Sequence, residues 1–137
     1  MYLLDTNVIS ELRHGKPRQS AAVRAWAAGV PAAQLYLSAI SILELEKGVM
    51  LLERRTPPQG SALRSWLGAT VRAFEGRVLP FTGNTAALCA ALHIPAPRPE
   101  RDAMIAASAL EHRMTLVTRN TSDFAPMGLH VLDPFAA

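Results

Sequence analysis

Short apolar runs alternate with longer helix-like segments along this chain, and that alternation limits the possible folds more than any other feature. Parallel strands need a long crossover between them, usually a helix, and read as continuous apolar runs because both faces of the sheet are covered. We therefore predict an α/β fold with a central parallel sheet of about five strands. The predicted strands are 2–5, 35–38, 77–81, 115–118 and 129–132.

Helices are predicted between these strands, and two of them form a pair of arms in the middle of the chain. Pro57, Pro58 and Gly60 interrupt a long helical pattern and divide it into these arms. The stretch "HIPAPRPER" at 93–101 contains three prolines and is predicted to be a loop. The predicted helices are 7–14, 19–29, 39–55, 61–75, 84–93 and 102–113, with a short turn from 121.

The length of 137 residues suits one domain that spans 1–137. Half of the residues are hydrophobic, yet no apolar run approaches the ~20 residues that a membrane span requires. The N-terminus lacks a basic region followed by a long apolar stretch, so we expect a soluble, cytoplasmic protein without a membrane partner. Cys89 is the only cysteine and lacks the neighbours of a zinc site, so we expect it in the core.

The charge balance gives a weak indication of a polyanionic partner. The net charge is +3, and 12 of the 14 basic residues are arginines, which bind phosphates bidentately but are also favoured by GC-rich coding. If four of the 11 acids share one pocket, 14 basic and 7 acidic residues remain elsewhere, a net charge of +7. Such a surface would attract a polyanion towards an acidic site.

Two predicted strands have acidic residues at or just after their carboxyl ends. Asp5 ends the first strand in "YLLDTN", and Asp123 follows the strand "TLVT" in "RNTSDF". The carboxyl ends of strands face the crevice in which open α/β sheets bind ligands. Residues of the same types also cap helices and form turns, so both interpretations stay open for either acid.

Two glutamates lie inside the strongly apolar predicted helix 39–55. Gly48 distinguishes them, because it lies four residues after Glu44 on the same helix face and would open space beside Glu44 but not beside Glu46. A glycine in a helix interior lowers helix stability by about 1 kcal/mol relative to alanine. This cost favours the interpretation that Gly48 is needed to leave space beside Glu44. The alternative is that both glutamates are solvated at the edge of the apolar stripe.

Asp102 stands in the first turn of a predicted helix, where the helix dipole alone favours a carboxylate. Glu44 and Asp102 nevertheless lie on helices that return from the sheet edge at which Asp5 and Asp123 are placed. Four acids are therefore expected to meet at one place.

Taken together, these segments resemble the PIN-domain ribonucleases, and among them the VapC and FitB type toxins of bacterial toxin–antitoxin pairs. The resemblance covers nearly the whole chain, through "YLLDTNVISEL", "SAISILELEKGV" and "RDAMIAASALEHRMTLVTRNTSDF". It implies a PIN-like three-layer α/β/α sandwich with a protruding helical pair. The family's acids fall on Asp5, Glu44, Asp102 and Asp123, and its polar helpers at the strand ends fall on Thr6, Asn7, Thr118 and Asn120.

The chain departs from the family pattern at two places. Thr82 stands where many relatives carry an acid, and "PAPRPER" replaces the more usual glycine-containing approach to Asp102. These departures concern the rim of the expected site and leave its four acids in place.

A lasting group of four carboxylates implies a cation between them, because the charges otherwise repel one another. Oxygen-only ligands select Mg²⁺ or Mn²⁺ over zinc. We expect Asp5, Asp123 and then Asp102 to be direct ligands, and Glu44 to bind through water or to orient the attacking water. The polar helpers would hold the carboxylates and the phosphate. The resemblance implies that the substrate is RNA and that cleavage leaves 5′-phosphate and 3′-hydroxyl ends.

The resemblance also implies a homodimer and a small VapB-like antitoxin, which would itself bind promoter DNA. Six apolar residues of the two arms exceed what one sheet face can cover, which favours an interface; the alternative is that they pack the arms together. They are Leu45, Val49, Leu52, Leu63, Trp66 and Leu67.

Three other functions fit the residues less well. A phospho-acceptor receiver domain needs a lysine at the end of a late strand, but the only lysines are Lys16 and Lys47. A phosphatase of the aspartyl-phosphate type would carry a second aspartate where Asn7 stands. A PIN-like module that binds RNA or a partner without cleavage is the alternative to an enzyme.

Overall fold

A five-stranded parallel sheet forms the centre of the molecule in the computed structural model, which describes residues 1–13 and 15–136. The strands are β1 (Tyr2–Leu4), β2 (Leu35–Ser38), β3 (Val78–Leu79), β4 (Thr115–Val117) and β5 (Val131–Leu132). Their order is β3-β2-β1-β4-β5, with every neighbouring pair parallel. The predicted α/β class and the parallel sheet are confirmed, and β1 and β4 lie side by side at its centre.

Helices connect the strands, as parallel pairing requires. They are α1 (Thr6–Glu11), α2 (Ala21–Ala28), α3 (Ala39–Arg55), α4 (Pro57–Ala73), α5 (Gly83–Leu92), α6 (Glu100–Glu111) and α7 (Thr121–Phe124), with single 3-10 turns at Ala32–Gln34 and Ala125–Met127. Within the described residues, none of these helices has the length and apolarity to cross a membrane.

Apolar side chains alternate between the two faces of the sheet and create two cores. Leu3 and Leu116 pack with Ile105 of α6 and Phe124 of α7 on one face. On the other face, the next residues along the strands, Leu4 and Val117, join side chains from the first four helices. This period of two produces the three layers of an α/β/α sandwich.

Polar residues at the strand ends begin the helices that follow. The Asp5 carboxylate accepts a hydrogen bond from the Thr6 backbone N–H at 2.8 Å and caps α1. The Ser38 hydroxyl accepts from the Ile40 N–H at 3.0 Å and caps α3. Thr82 forms a capping box with Thr85 at the start of α5, which gives the departure at Thr82 a structural role.

The element boundaries agree with the predictions within a few residues, with one informative error. The predicted range 35–38 is β2 and the predicted range 39–55 is α3, whereas the helix predicted from 61 begins at Pro57. The two prolines do not break this helix, because proline is favoured in the first helical turn and Thr56 makes the break. Of the helix predicted over 7–14, residue 14 lies outside the described residues.

Gly60 allows the two arms, α3 and α4, to approach each other closely. A Cβ atom at this position would lie 2.5 Å from the backbone nitrogen of Glu53 and 2.8 Å from its Cγ. Arg64 of α4 then reaches across to α3, where its guanidinium contacts Glu46 at 2.5 Å and Glu53 at 3.0 Å. Gly60, which the sequence pattern indicates as part of a helix break, is therefore the point at which α3 and α4 pack against each other.

Three of the six apolar residues expected at an interface are buried inside the chain, so the prediction is wrong for these three. Leu45, Val49 and Leu67 are buried, and Leu52, Leu63 and Trp66 are partly buried. A helical arm can bury its apolar stripe against a second arm as well as against a sheet, which is the alternative considered above. The exposed apolar residues of α3 are instead Leu43, Met50 and Leu51, which are 47%, 56% and 57% exposed.

Candidate functional site

Asp5 lies at the carboxyl end of the central strand β1 and is only 5% exposed. Its Oδ1 accepts the Thr6 N–H, and its Oδ2 accepts the Thr118 hydroxyl at 2.8 Å. The Asn7 side-chain amide lies 3.4 Å from the same Oδ2 and 3.4 Å from the Thr118 hydroxyl. Asp5 thus caps α1 and also belongs to a polar cluster at the carboxyl end of the strand. The interpretation as a helix cap and the interpretation as a residue of the crevice are therefore compatible.

Glu44 of α3 is joined to the same cluster through Thr6. The Thr6 hydroxyl donates to Glu44 Oε1 at 2.7 Å and lies 3.0 Å from the Ser41 hydroxyl, which is fully buried. A hydroxyl carries one proton and the carboxylate is the stronger acceptor. With that proton given to Glu44, Ser41 can donate its own to Thr6 and fix the position of the hydroxyl.

The end of β4 contributes Thr118, which is fully buried. Its hydroxyl oxygen also accepts the backbone N–H of Asn120 at 3.0 Å. The Asn120 side chain makes no hydrogen bond within the described part of the chain and does not cap α7. The observed contact of Asn120 with the cluster is through its backbone, and the helper role expected of its side chain stays a prediction.

Asp102 connects the remaining acids electrostatically. Its pKa is raised to about 6, first by burial and then by the nearby charges of Asp5, Asp123 and Glu44, in that order. Burial likewise raises the pKa of Asp5, against the hydrogen bonds from Thr118 and Thr6, and Glu44 adds to the rise. Four acids from separate parts of the chain therefore lie close enough for their charges to interact.

The acids gather without reaching the spacing of a closed metal site. In residues 1–13 and 15–136, no three His, Cys, Asp or Glu side chains stand close enough to hold an ion by themselves. The donor set consists of carboxylates and hydroxyls, without sulfur or imidazole. This chemistry fits a hard divalent cation, which binds through a few carboxylates and keeps several waters.

A groove opens beside Glu44 and has a volume of about 370 Å³. Its lining includes Thr6, Gly48, Leu63 and Trp66. A Cβ atom on Gly48 would meet nothing within 4 Å, so the space predicted beside Glu44 is present. The groove therefore gives access to one side of the acidic cluster.

The sequence matches the PIN domain over residues 2–127, which is most of the chain. The chain belongs to the PIN domain family. This PIN domain protein is 37% identical to the VapC ribonuclease Y4jK of Sinorhizobium fredii over 98% of both chains. It is 36% identical to the toxin FitB of Neisseria gonorrhoeae over 98% of this chain and 99% of that protein.

The fold of the PIN domain protein agrees with a solved structure of FitAB bound to an IR36 DNA fragment. The TM-score is 0.90 at 34% sequence identity, with 100% of this chain and 97% of the other chain covered. The resemblance to the PIN family, and to VapC and FitB within it, is thereby confirmed.

Ser41 is the residue of this PIN domain protein that sequence reasoning missed. It lies three residues before Glu44 in α3, on the same helix face. A serine at this spacing in an apolar helix is a detectable signal, because a buried hydroxyl needs a hydrogen-bond partner. Its contact with Thr6 supplies that partner.

Replacing Asp102 by asparagine is expected to stabilise the metal-free PIN domain protein at neutral pH by about 1 kcal/mol, after allowance for the exposed part of the side chain and the lost helix-dipole attraction. The folded pKa of Asp102 is about 6, above the ordinary value of 3.8. Ionisation therefore costs nothing below the ordinary pKa, and its full cost is reached above the folded pKa. The advantage of the variant should grow between these two pKa values as the pH rises.

Urea unfolding with chelator present, across the acid to neutral range, measures this difference. Added Mg²⁺ should then stabilise the wild type more than Asp102→Asn, because the ion needs the carboxylate. A variant that is less stable than wild type at pH 8 in chelator would contradict the prediction.

Proposed function

We propose that this protein is a metal-dependent endoribonuclease that hydrolyses RNA phosphodiesters as the toxin of a toxin–antitoxin pair. The proposal rests mainly on one observation. At the carboxyl ends of the central strands, Asp102 lies close enough to Asp5, Asp123 and Glu44 for their charges to act on it. Relatives over the full chain include a VapC ribonuclease and the toxin FitB, which supports the same reaction here.

The acids of this cluster would hold Mg²⁺ or Mn²⁺, with Asp5, Asp102 and Asp123 as ligands. An ion bound there would supply Lewis-acid activation of water and would neutralise charge on the phosphate. The oxygen-only donor set and the raised pKa of Asp102, which burial and then the neighbouring carboxylates cause, fit such an ion.

The other residues of the cluster hold the acids and leave defined atoms free. Thr118 and Thr6 each donate to Asp5, which fixes the plane of its carboxylate. Glu44 Oε1 is engaged by the Thr6 hydroxyl, so Glu44 Oε2 is left to orient the attacking water and accept its proton. Asn7 keeps Thr118 and Asp5 together from the start of α1.

An RNA cleavage assay tests the proposal. Purified protein should cleave single-stranded RNA with Mg²⁺ or Mn²⁺, lose this activity in chelator, and regain it when the ion is restored. Unchanged cleavage in chelator would refute the metal requirement. RNA binding without cleavage under any of these conditions would favour the catalytically silent PIN-like module instead.

An antitoxin segment is proposed to occupy the groove beside Glu44. The groove has an apolar side with Leu63 and Trp66 and the carboxylate of Glu44 at its wall. A chain segment can cover the apolar side while an arginine or lysine reaches the acids, which would satisfy charges that otherwise bind metal. The solved FitAB complex with DNA supports a partner of this kind, and any promoter binding would then belong to the antitoxin.

Co-expression is expected to restore growth that the chain alone inhibits. The neighbouring gene is co-expressed, and growth and the composition of the purified complex are measured. A small protein should co-purify, and Trp66→Ala should weaken its retention because an apolar anchor is lost. Equal growth with and without the neighbour, and no co-purifying protein, would contradict the toxin–antitoxin assignment.

A homodimer is proposed to use the exposed face of α3 instead of the buried residues of the arms. Leu43, Met50 and Leu51 form an apolar strip, with Lys47 and Arg54 beside it. Sedimentation at micromolar concentration should show a dimer, and Met50→Glu together with Leu51→Glu should give a folded monomer. A wild-type monomer would contradict the dimer, and an unchanged dimer in the double variant would contradict this face.

A further inference from the structure

Arg119 follows Thr118 directly at the end of β4 and is fixed to the acidic cluster through its backbone. Its N–H donates to the Asn7 side-chain oxygen at 3.3 Å. The amide of the same Asn7 contacts Asp5 and Thr118. The backbone of Arg119 therefore belongs to the network that positions the acids, although its side chain is exposed.

The side chain of Arg119 rests on an aromatic platform. Its guanidinium carbon lies 3.8 Å from the centroid of the Phe135 ring. This ring is partly buried against the core that contains Leu4 and Val117, and the Phe135 N–H donates to Asp133 at 2.8 Å. The platform is thus held by packing and by a turn, which limits the freedom of the exposed guanidinium.

Within the described residues, the hydrogen-bond donors of the Arg119 guanidinium have no acceptor, and Glu11 interacts with this group only through a longer-range attraction between their charges. Across the part of the chain that the structure describes, no carboxylate lies within ion-pair distance of this group and no oxygen accepts a hydrogen bond from it. Arg64 and Arg77 differ, since the first is paired with glutamates and the second donates to backbone carbonyls. Stacking leaves the N–H edges of the Arg119 guanidinium directed away from the ring, where they can receive a ligand.

We propose that Arg119 binds an RNA phosphate adjacent to the phosphodiester that is hydrolysed, and so positions the substrate on the acidic cluster. The inference rests on the proposed ribonuclease function. A phosphate fits because a guanidinium presents a planar pair of donors to its oxygens. One face of Phe135 is already covered by the guanidinium, which favours a phosphate over a stacked base as the ligand.

Steady-state cleavage of a short single-stranded RNA tests this binding role. Arg119→Ala should raise KM about tenfold, the equivalent of one charge-assisted contact, and change kcat little. Arg119→Lys keeps the charge without the planar pair of donors, and its KM should lie between those of the wild type and Arg119→Ala. Phe135→Leu keeps an apolar side chain on the core but removes the ring, and should raise KM by a smaller factor.

The salt dependence of binding separates a phosphate contact from a structural role. Binding is measured in Asp5→Asn protein, which keeps the RNA intact. The binding constant falls as salt rises, so the slope of log K against log salt is negative. Loss of one phosphate contact should make this slope less negative by about 0.7 for a single strand. Arg72→Ala is the matched control. Arg72 is an exposed arginine near the end of α4, which leads to the amino end of β3, whereas Arg119 follows the carboxyl end of β4.

Each outcome decides between the proposals. If the wild type cleaves RNA and Arg119→Ala matches Arg72→Ala in KM and salt slope, the phosphate contact is refuted and the ribonuclease function stands. If Arg119→Ala lowers kcat and thermal stability without a change in salt slope, the residue is structural and the inference is also refuted. A wild-type protein that neither binds nor cleaves RNA refutes both proposals.

Discussion

Replacing Asp5 by asparagine is expected to lower the rate of RNA cleavage more than about 100-fold, since the loss of an outer partner of a metal site already costs 10–100-fold. The substitution removes the carboxylate that would bind metal at the centre of the cluster. An asparagine oxygen can still accept the Thr6 N–H, so α1 keeps its cap. Burial raises the pKa of Asp5, so a neutral amide removes the cost of burying a charge, and this gain offsets the loss of the hydrogen bond that Thr118 donates to Oδ2.

The cleavage rate and the thermal unfolding midpoint of Asp5→Asn are measured together, and only the first should fall. Glu75→Gln provides a matched control that also removes one negative charge. Glu75 is exposed and precedes β3, at the amino edge of the sheet, opposite the acidic cluster. A purified Asp5→Asn protein that cleaves RNA as fast as Glu75→Gln would disprove the catalytic assignment.

Replacing Gly60 by alanine is expected to lower the free energy of unfolding by about 1–3 kcal/mol, the range of an overpacked contact. The new methyl group would overlap the backbone of Glu53 and has no flexible neighbour that can move away. The two arms would have to separate, which would also lengthen the contacts of Arg64 with Glu46 and Glu53.

Gly48→Ala gives a control of opposite sign in the same helical pair. Its methyl group would meet no atom within 4 Å, and alanine in a helix interior is favoured over glycine by about 1 kcal/mol. Urea unfolding should show a lower midpoint for Gly60→Ala and a higher one for Gly48→Ala, with similar slopes. A midpoint for Gly60→Ala at or above the wild-type value would show that the arms are not in close contact.

Local patterns in the sequence predict much of this fold because local chemistry determines the elements. Ser38 caps α3 and two arginines close it, so the range 39–55 can be predicted without tertiary information. The pattern does not locate the start of α4, because proline both ends one helix and begins another. The contact made by Gly60 depends on a neighbouring helix, and no local pattern contains it.

In the candidate site too, some features follow from local sequence and others depend on tertiary contacts. The positions of Asp5 and Thr118 follow from strand ends, which meet at one edge of a parallel sheet. The partner of an apolar helical face cannot be deduced in this way, so the sequence pattern alone favours an interface at Leu45 and Val49, although both are buried within the chain. The stacking of Arg119 on Phe135 likewise depends on how the turn after β5 folds back, which the residue pattern does not specify.

The side-by-side position of β1 and β4 affects when activity can arise during synthesis. Asp5 is among the first residues made, but the hydroxyl that holds it belongs to Thr118, 113 positions later, and Asp123 follows Thr118. A nascent chain therefore carries Asp5 and Glu44 for most of its translation without the residues that complete the cluster. The order of the strands thus delays assembly of the proposed nuclease site until translation has passed Asp123, and the ribosome-bound intermediates that precede this point are expected to leave surrounding RNA intact.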